Sequence, residues 1–285
     1  MMEKTMEFLN EVCEELRPFY PEADITVREV AKPEGMLKGI SIRNRNESIS
    51  PVIYESSLSD LDDAVEGARR VMMIYEKHKD ESDTDYSWVL DWEKVRSHIQ
   101  PRLVHAEHAE DWLQDKVNRG FLGDLRLVFD VSVGIGTIAI TNGYLEQWGV
   151  VIDDLEEACK ENVNANVVGM SEYLIRIKPD MPEEVKKHIM LTNKHMYLVS
   201  NWEGNMPYCH GAGVLPFMLD ELKERFGSFF LIPSSISEWI LIPYDENVEK
   251  SFLNSMIQEV NTKEVAPCDI LSDHVYSYVN GMWNI

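Results

Sequence analysis

Residues 124–142, DLRLVFDVSVGIGTIAITN, decide between two folds. An apolar, β-branched run leads into Gly134-Ile135-Gly136-Thr137-Ile138-Ala139, which matches the G-x-G-x-x-A pattern of a dinucleotide site, and Asp153 follows where an acidic ribose ligand would sit. That site needs the glycines to open a helix whose N-terminal amides receive a pyrophosphate. Here they run into Thr137, Ile138, Ile140 and Thr141, whose branched β-carbons favour extended chain. The stretch therefore reads as two antiparallel strands, 126–133 and 137–142, with Gly134 and Gly136 in the turn. No nucleotide cofactor is implied, and the hairpin argues against a doubly wound parallel sheet.

The pattern on either side is also mixed. Met6, Leu9, Cys13 and Leu16 recur at helical spacing before Pro18, and DITVREV, GMLKGISIRN and ISPVIYE then read as three short strands. Ser59 and Asp62 are placed to cap a long helix with an apolar face of Leu61, Ala64, Val65, Ala68, Met72 and Tyr75. KHKDESDTDY (77–86) reads as a linker, which places a small αβββα unit at 1–80 and a larger unit at 87–285. Helical segments are expected around Trp92, Val95 and Ile99, and around Leu113 and Val117, with Pro101 between them. Asp153 opens a further helix, with Glu156 placed for a capping box. HMYLVSN is a strand, 213–226 a helix ended by Gly227, SFFLIP and SEWILIP a strand pair, and 248–260 a helix. The expected class is α+β with largely antiparallel sheets.

Composition narrows the function. Of 285 residues, 50 are acidic and 27 basic, a formal charge of -23 that repels nucleic-acid phosphates and anionic membrane surfaces. Cys13, Cys159, Cys209 and Cys268 form no C-x-x-C pair, so they read as reduced thiols of a cytoplasmic protein. The acidic N-terminus lacks a secretory pattern, and no run approaches the roughly twenty apolar residues that span a bilayer.

Three motifs bear on chemistry. HAEHAED (105–111) would put His105 and His108 on one helical face, yet no further zinc ligand completes the pattern, so no metal is assigned. NMPYCHGAGVLP (205–216) sets Cys209 beside His210 at a small-residue entry into a helix, where a dipole would lower a thiol pKa. Sequence neighbours seldom face one another, and the glycines are sufficiently explained by a tight helix entry. LIPSSISEWILIPYDE (231–246) holds paired serines between apolar runs. A nucleophile elbow wants G-x-S-x-G, which is absent, so residues 234–237 read as a hairpin turn with Glu238 held by backbone or by a polar group near Asn201.

At these residues the chain resembles a bacterial family of gut anaerobes of the clostridial type, designated domain of unknown function 5688. The resemblance runs through ISPVIY (49–54), DWEKVRSHIQPRLVH (91–105), IAITNGYLEQWGV (138–150), HMYLVSN (195–201), GAGVL (211–215), FFLIPSSISEWILIP (229–243) and EVNTKEVAPCDILSDHVYSY (259–278). The family's hairpin reads P-S-S-x-H-E, and this chain has Ser237 at the histidine position, where a hydroxyl cannot replace imidazole as a base. The resemblance brings no activity. It implies a binding surface at the matching polar positions Asn142, Asn201, Ser234, Ser235, Glu238 and Asp273.

The expectation is thus a cytoplasmic, non-enzymatic α+β protein that binds another protein or a small ligand, without cofactor or metal, and away from nucleic-acid backbones and membranes. The alternative is a hydrolase using Ser234, Ser235 or Cys209 as nucleophile, with His210 or His274 as base.

Overall fold

The structure, a computed structural model, describes residues 5–44, 52–82, 86–133 and 136–284, the side chains of 78–82 excepted. It divides into two compact units, Met1–Val89 and Leu90–Ile285, and the fold is α+β.

In the first unit, α1 (Met6–Leu16) begins where the Thr5 hydroxyl accepts from the Phe8 amide, and it buries Leu9, Val12, Cys13 and Leu16. Strands β1 (Asp24–Lys32), β2 (Gly35–Arg43) and β3 (Val52–Tyr54) form the expected antiparallel meander. Residues 49–51 of the third expected strand lie outside the described residues. Helix α2 (Ala64–Ser82) packs Ala68, Val71 and Tyr75 into one cluster with Ile25, Ile40, Ile42 and Ile53. Its start corrects the sequence reading. Asp63 accepts from the Glu66 amide, whereas the Ser59 hydroxyl is already bonded to the Ser56 carbonyl. The helix also runs on to residue 82, through most of the stretch read as a linker, because 77–82 contains neither Gly nor Pro to stop it. Residues 83–85 of that stretch lie outside the described residues.

The second unit opens with α3 (Trp92–Val95), followed by β4 (Ile99–His105), α4 (Glu110–Leu113), β5 (Asn118–Phe121), β6 (Leu125–Val133) and β7 (Gly136–Ala139). The four strands make one antiparallel sheet in which β6 pairs with β4 on one edge and with β5 and β7 on the other. The glycine hairpin is therefore a hairpin: Val133 faces Gly136 and Asp130 faces Ala139. Gly136 is the first residue of β7 and not part of the turn, and Gly134 lies outside the described residues. The second strand is shorter than expected, since Asn142 opens α5 (Asn142–Trp148), which Gly149 ends at φ 70°.

Residues 99–105 are a larger correction. A helical segment was expected around Ile99, with Pro101 between it and the next, yet these residues form β4 with Pro101 opposite Phe129. A proline is tolerated there because β4 is an edge strand, where a missing N–H deprives no neighbour of a ladder bond.

Next come α6 (Ile152–Asn162), β8 (Ala165–Gly169), α7 (Met170–Ile177) and α8 (Glu183–Thr192). The N-terminus of α6 is closed by Asp154, whose side chain accepts from the Val151 amide, while Glu156 ion-pairs with Arg119. The large sheet then forms from β8, β9 (Tyr197–Glu203), β10 (Met206–Pro207), β11 (Phe229–Pro233), β12 (Trp239–Pro243), β13 (Tyr276–Val279) and β14 (Met282–Asn284). All of its pairs are antiparallel. Between β10 and β11 lie a 3₁₀ turn, Gly211–Val214, and α9 (Leu215–Phe226). Between β12 and β13 lies α10 (Lys250–Lys263), whose Leu253 and Ile257 pack on Phe230, Ile232 and Val275. Burying side chains of this size contributes roughly 1.5–3 kcal/mol each. Among the described residues, no helix is long and apolar enough to cross a membrane.

Candidate functional site

The β11–β12 hairpin behaves as its residues dictate. Its register pairs Phe229 with Pro243 and Pro233 with Trp239, which leaves residues 234–238 as the loop. Inside that loop the Ser234 hydroxyl donates to Glu238 Oε1 at 3.0 Å, and the Ser235 hydroxyl accepts from the Ser237 amide at 3.0 Å. Glu238 is thus held by Ser234, within the loop. Neither contact sets a histidine against a serine. Trp239 is fully buried, donates from Nε1 to the Ala212 carbonyl at 3.0 Å, and meets Tyr276 edge-on at 5.6 Å.

The 3₁₀ turn at 211–214 is wedged between the two sheets of this unit. The Ala212 amide donates to the Ile236 carbonyl of the hairpin loop, and the Ser200 hydroxyl donates to the Ser237 carbonyl. A Cβ built on Gly213 would lie 2.6 Å from the Pro101 carbonyl carbon and 2.9 Å from Arg102 Cα, and closer still to the Pro101 oxygen. One built on Gly211 would lie 2.9 Å from the Asn201 oxygen, and closer still to Ser200 Oγ and the Ser237 oxygen. These glycines permit close approach of backbones, a stronger demand than the helix entry inferred from sequence.

Beside this wedge sits a buried carboxyl group that the sequence did not disclose. Asp130 on β6 is 1% exposed. Arg102 Nη1 lies 3.9 Å from its Oδ2, and His210 Nδ1 lies 3.8 Å from the same oxygen. Cys209 is exposed, but local burial pushes its thiol up, against the lowering pull of the Tyr208 hydroxyl and Arg102. The Tyr208 hydroxyl is likewise pushed up to about 12, chiefly by burial. An activated cysteine shows the opposite shift.

A second polar cluster gathers on Asp124, at the turn into β6. Tyr276 donates to both of its oxygens at 2.7 and 2.9 Å, the Ser272 hydroxyl donates at 3.3 Å, and His105 Nε2 and His274 Nε2 lie 3.3 and 3.6 Å away. The Ser272 hydroxyl is also 3.3 Å from His274 Nδ1, but Ser272 is 1% exposed and out of reach of a substrate. His105 ends β4, so it does not share a helical face with His108; the two rings stack at 4.1 Å. Burial, then the proximity of His108, hold the His105 imidazole below its ordinary pKa despite the attraction of Asp124. Among the described residues, no group of three or more His, Cys, Asp or Glu is placed to hold a metal ion.

The third feature is an apolar cleft of about 180 Å³ where α10 leans over the hairpin. Its walls are Ile232, Ile240 and Ile242 from the strands, Leu253, Met256, Ile257 and Val260 from the helix, and Met196 ahead of β9. Pro233, Ser234 and Asn261 complete it. Met256 and Val260 are each 47% exposed, and Phe252, one turn earlier on α10, is 61% exposed.

The six positions implied by the family resemblance fall in separate places. Ser234 lines the cleft, and Asp273 reaches it indirectly by accepting from the side chain of Asn261 at 2.9 Å. Ser235 and Glu238 belong to the loop above it. Asn201 is buried on β9, where it accepts from the Asn164 amide and donates to Gln100 Oε1. Asn142 starts α5 with its amide donating to the Asp115 carbonyl. Sequence reasoning missed the helix side of the cleft, although the signal was present: Phe252, Met256 and Val260 recur at four-residue spacing on a helix that already buries Leu253 and Ile257.

Residues 5–280 match a family described only as a family of unknown function (DUF5688). No curated protein and no solved structure matches the chain.

Proposed function

The chain belongs to the DUF5688 family, and we propose that it is a non-enzymatic binding module of the bacterial cytoplasm whose site is the cleft between α10 and the β11–β12 hairpin. The observation that carries this reading is the cleft itself, a concave, almost wholly apolar surface with Ser234 and Asn261 as its polar members. Met256 and Val260, two of its walls, remain half exposed, and apolar area left open at a concave surface suits contact with a partner. The four free cysteines suit a reducing compartment.

The hydrolase alternative finds less support. The hydroxyls of Ser234 and Ser235 are engaged inside their own loop, and the Cys209 thiol is shifted away from the thiolate that a nucleophile requires. His210 is directed at Asp130, and His274 at Ser272 and Asp124.

The neutral solvatochromic dye Nile red tests the site. Its fluorescence should rise on titration with the protein and fall at least several-fold with Met256→Gln, while Met206→Gln, an exposed methionine on β10, should leave it unchanged. Equal signals from both variants would remove the cleft from consideration.

A further inference from the structure

We infer that the occupant of the cleft is an amphipathic helix with basic flanks, supplied by a partner protein; the inference rests on the binding reading above. Size decides against a small ligand enclosed on all sides, although a flat dye can lie partly in the opening. At about 180 Å³ the cleft is smaller than the roughly 300–1,000 Å³ that enclose drug-sized molecules. It accommodates one or two side chains that project from a larger body. The apolar surface along its helix side has the matching length, since Phe252 and Val260, with Met256 between them, lie eight positions apart on α10, about 12 Å at a rise of about 1.5 Å per residue. That is the length of two to three turns of a second helix laid along the first, with an apolar residue at every third or fourth position pointing into the groove.

Charge selects the flanks. The rim is acidic: Glu238 is bonded to Ser234 and Asp273 to Asn261, both of which line the cleft. Asp245 and Glu246 line a hollow that shares Ile242 with it, and Glu264 is exposed just past the end of α10. The lysines of α10 are engaged, Lys263 with Glu259 at 2.6 Å and Lys250 with the Asn284 carbonyl at 3.2 Å. Lys194, two residues before Met196, is exposed but lines a different hollow. Together with the formal charge of -23, this rim attracts a basic segment and repels an acidic one.

Fluorescence anisotropy of labelled peptides with the full-length chain tests the inference. One peptide of about sixteen residues carries leucine at every third or fourth position and lysine elsewhere, a second replaces lysine by glutamate, and a third keeps lysine and replaces leucine by serine. The first should bind at least tenfold more tightly than either of the others, weaken as salt rises, and lose at least tenfold in affinity with Met256→Gln, an exposed position whose change should leave the fold intact. Equal binding of lysine and glutamate peptides, or indifference to Met256→Gln, overturns the inference. If neither leucine peptide binds while Nile red still reports a Met256-dependent site, the partner class is wrong and the binding reading stands. If the dye also fails, both fall. Concentration-dependent dimers abolished by Met256→Gln would instead make a second copy of the chain the occupant and likewise overturn it.

Discussion

Replacing Gly213 by alanine sets two physical effects of opposite sign against each other. Gly213 is not among the glycines with positive φ, so an alanine fits its backbone, and restricting the unfolded chain should by itself stabilise the protein by about 0.4–1 kcal/mol. Against this, the new Cβ would meet the Pro101 carbonyl carbon at 2.6 Å and Arg102 Cα at 2.9 Å, with the Pro101 oxygen nearer still. All three are backbone atoms of β4, which is tied to β6 over seven residue pairs. No flexible side chain can swing aside, so the strand or the 3₁₀ turn must move, and overpacking of this kind costs about 1–3 kcal/mol or more. The net loss should be about 2 kcal/mol. In urea at a slope of about 2 kcal/mol/M this lowers the midpoint by about 1 M without changing the slope. Gly143→Ala in α5 is the control, because its Cβ would meet only Thr141 Oγ1, at an ordinary 3.7 Å; it should leave the midpoint unchanged or raise it. A Gly213→Ala protein that unfolds at the same or higher urea than the parent would refute the account of how the two sheets are joined.

Trp239→Ala should cost about 3–5 kcal/mol in the same assay, since it empties a fully buried site and orphans the Ala212 carbonyl, whereas Ser234→Ala or Ser235→Ala should cost at most about 1 kcal/mol; near-equal values would mean that the hairpin is not anchored by the ring. A fluorophosphonate probe should label neither serine, and labelling that a histidine substitution abolishes would restore the hydrolase. The Cys209 thiol, raised by burial, should react with iodoacetamide at pH 8 more slowly than a free peptide cysteine; faster alkylation would contradict its assignment as a bystander. The depressed pKa of His105 fixes a pH dependence: the unfolded chain takes up the proton first, so stability is complete above the ordinary 6.5 and declines as pH falls below it. His105→Gln should flatten that decline in thermal melts between pH 7 and 5, and an unchanged slope would show that other groups cause it.

What could be read from the residues alone was whatever has a local cause. β-branched residues around small turns were enough to choose the hairpin over a dinucleotide-binding helix at 124–142, and two proline-ended apolar runs were enough to pair the strands around Leu231 and Leu241, though not to set their register. The N-terminal meander and α1 followed from spacing in the same way. A further local signal was present but not drawn upon: Asn280-Gly281 turns β13 into β14 with φ of 51° and 86°, the combination that a tight hairpin favours.

Tertiary structure alone decided the rest, because the deciding partners are distant in sequence. Residues 99–105 are a strand only because β6 offers them an edge, which no local feature around Ile99 or Pro101 announces. Asp124 meets Tyr276 across 152 residues, and no periodicity encodes such a meeting. Gly211 and Gly213 are small in any reading, but which backbones press on them is known only once both sheets are in place. The same holds for the cleft. Met256 and Val260 were visible as a second apolar line on α10, yet a line becomes a groove only when Ile232, Ile240 and Ile242 stand opposite it.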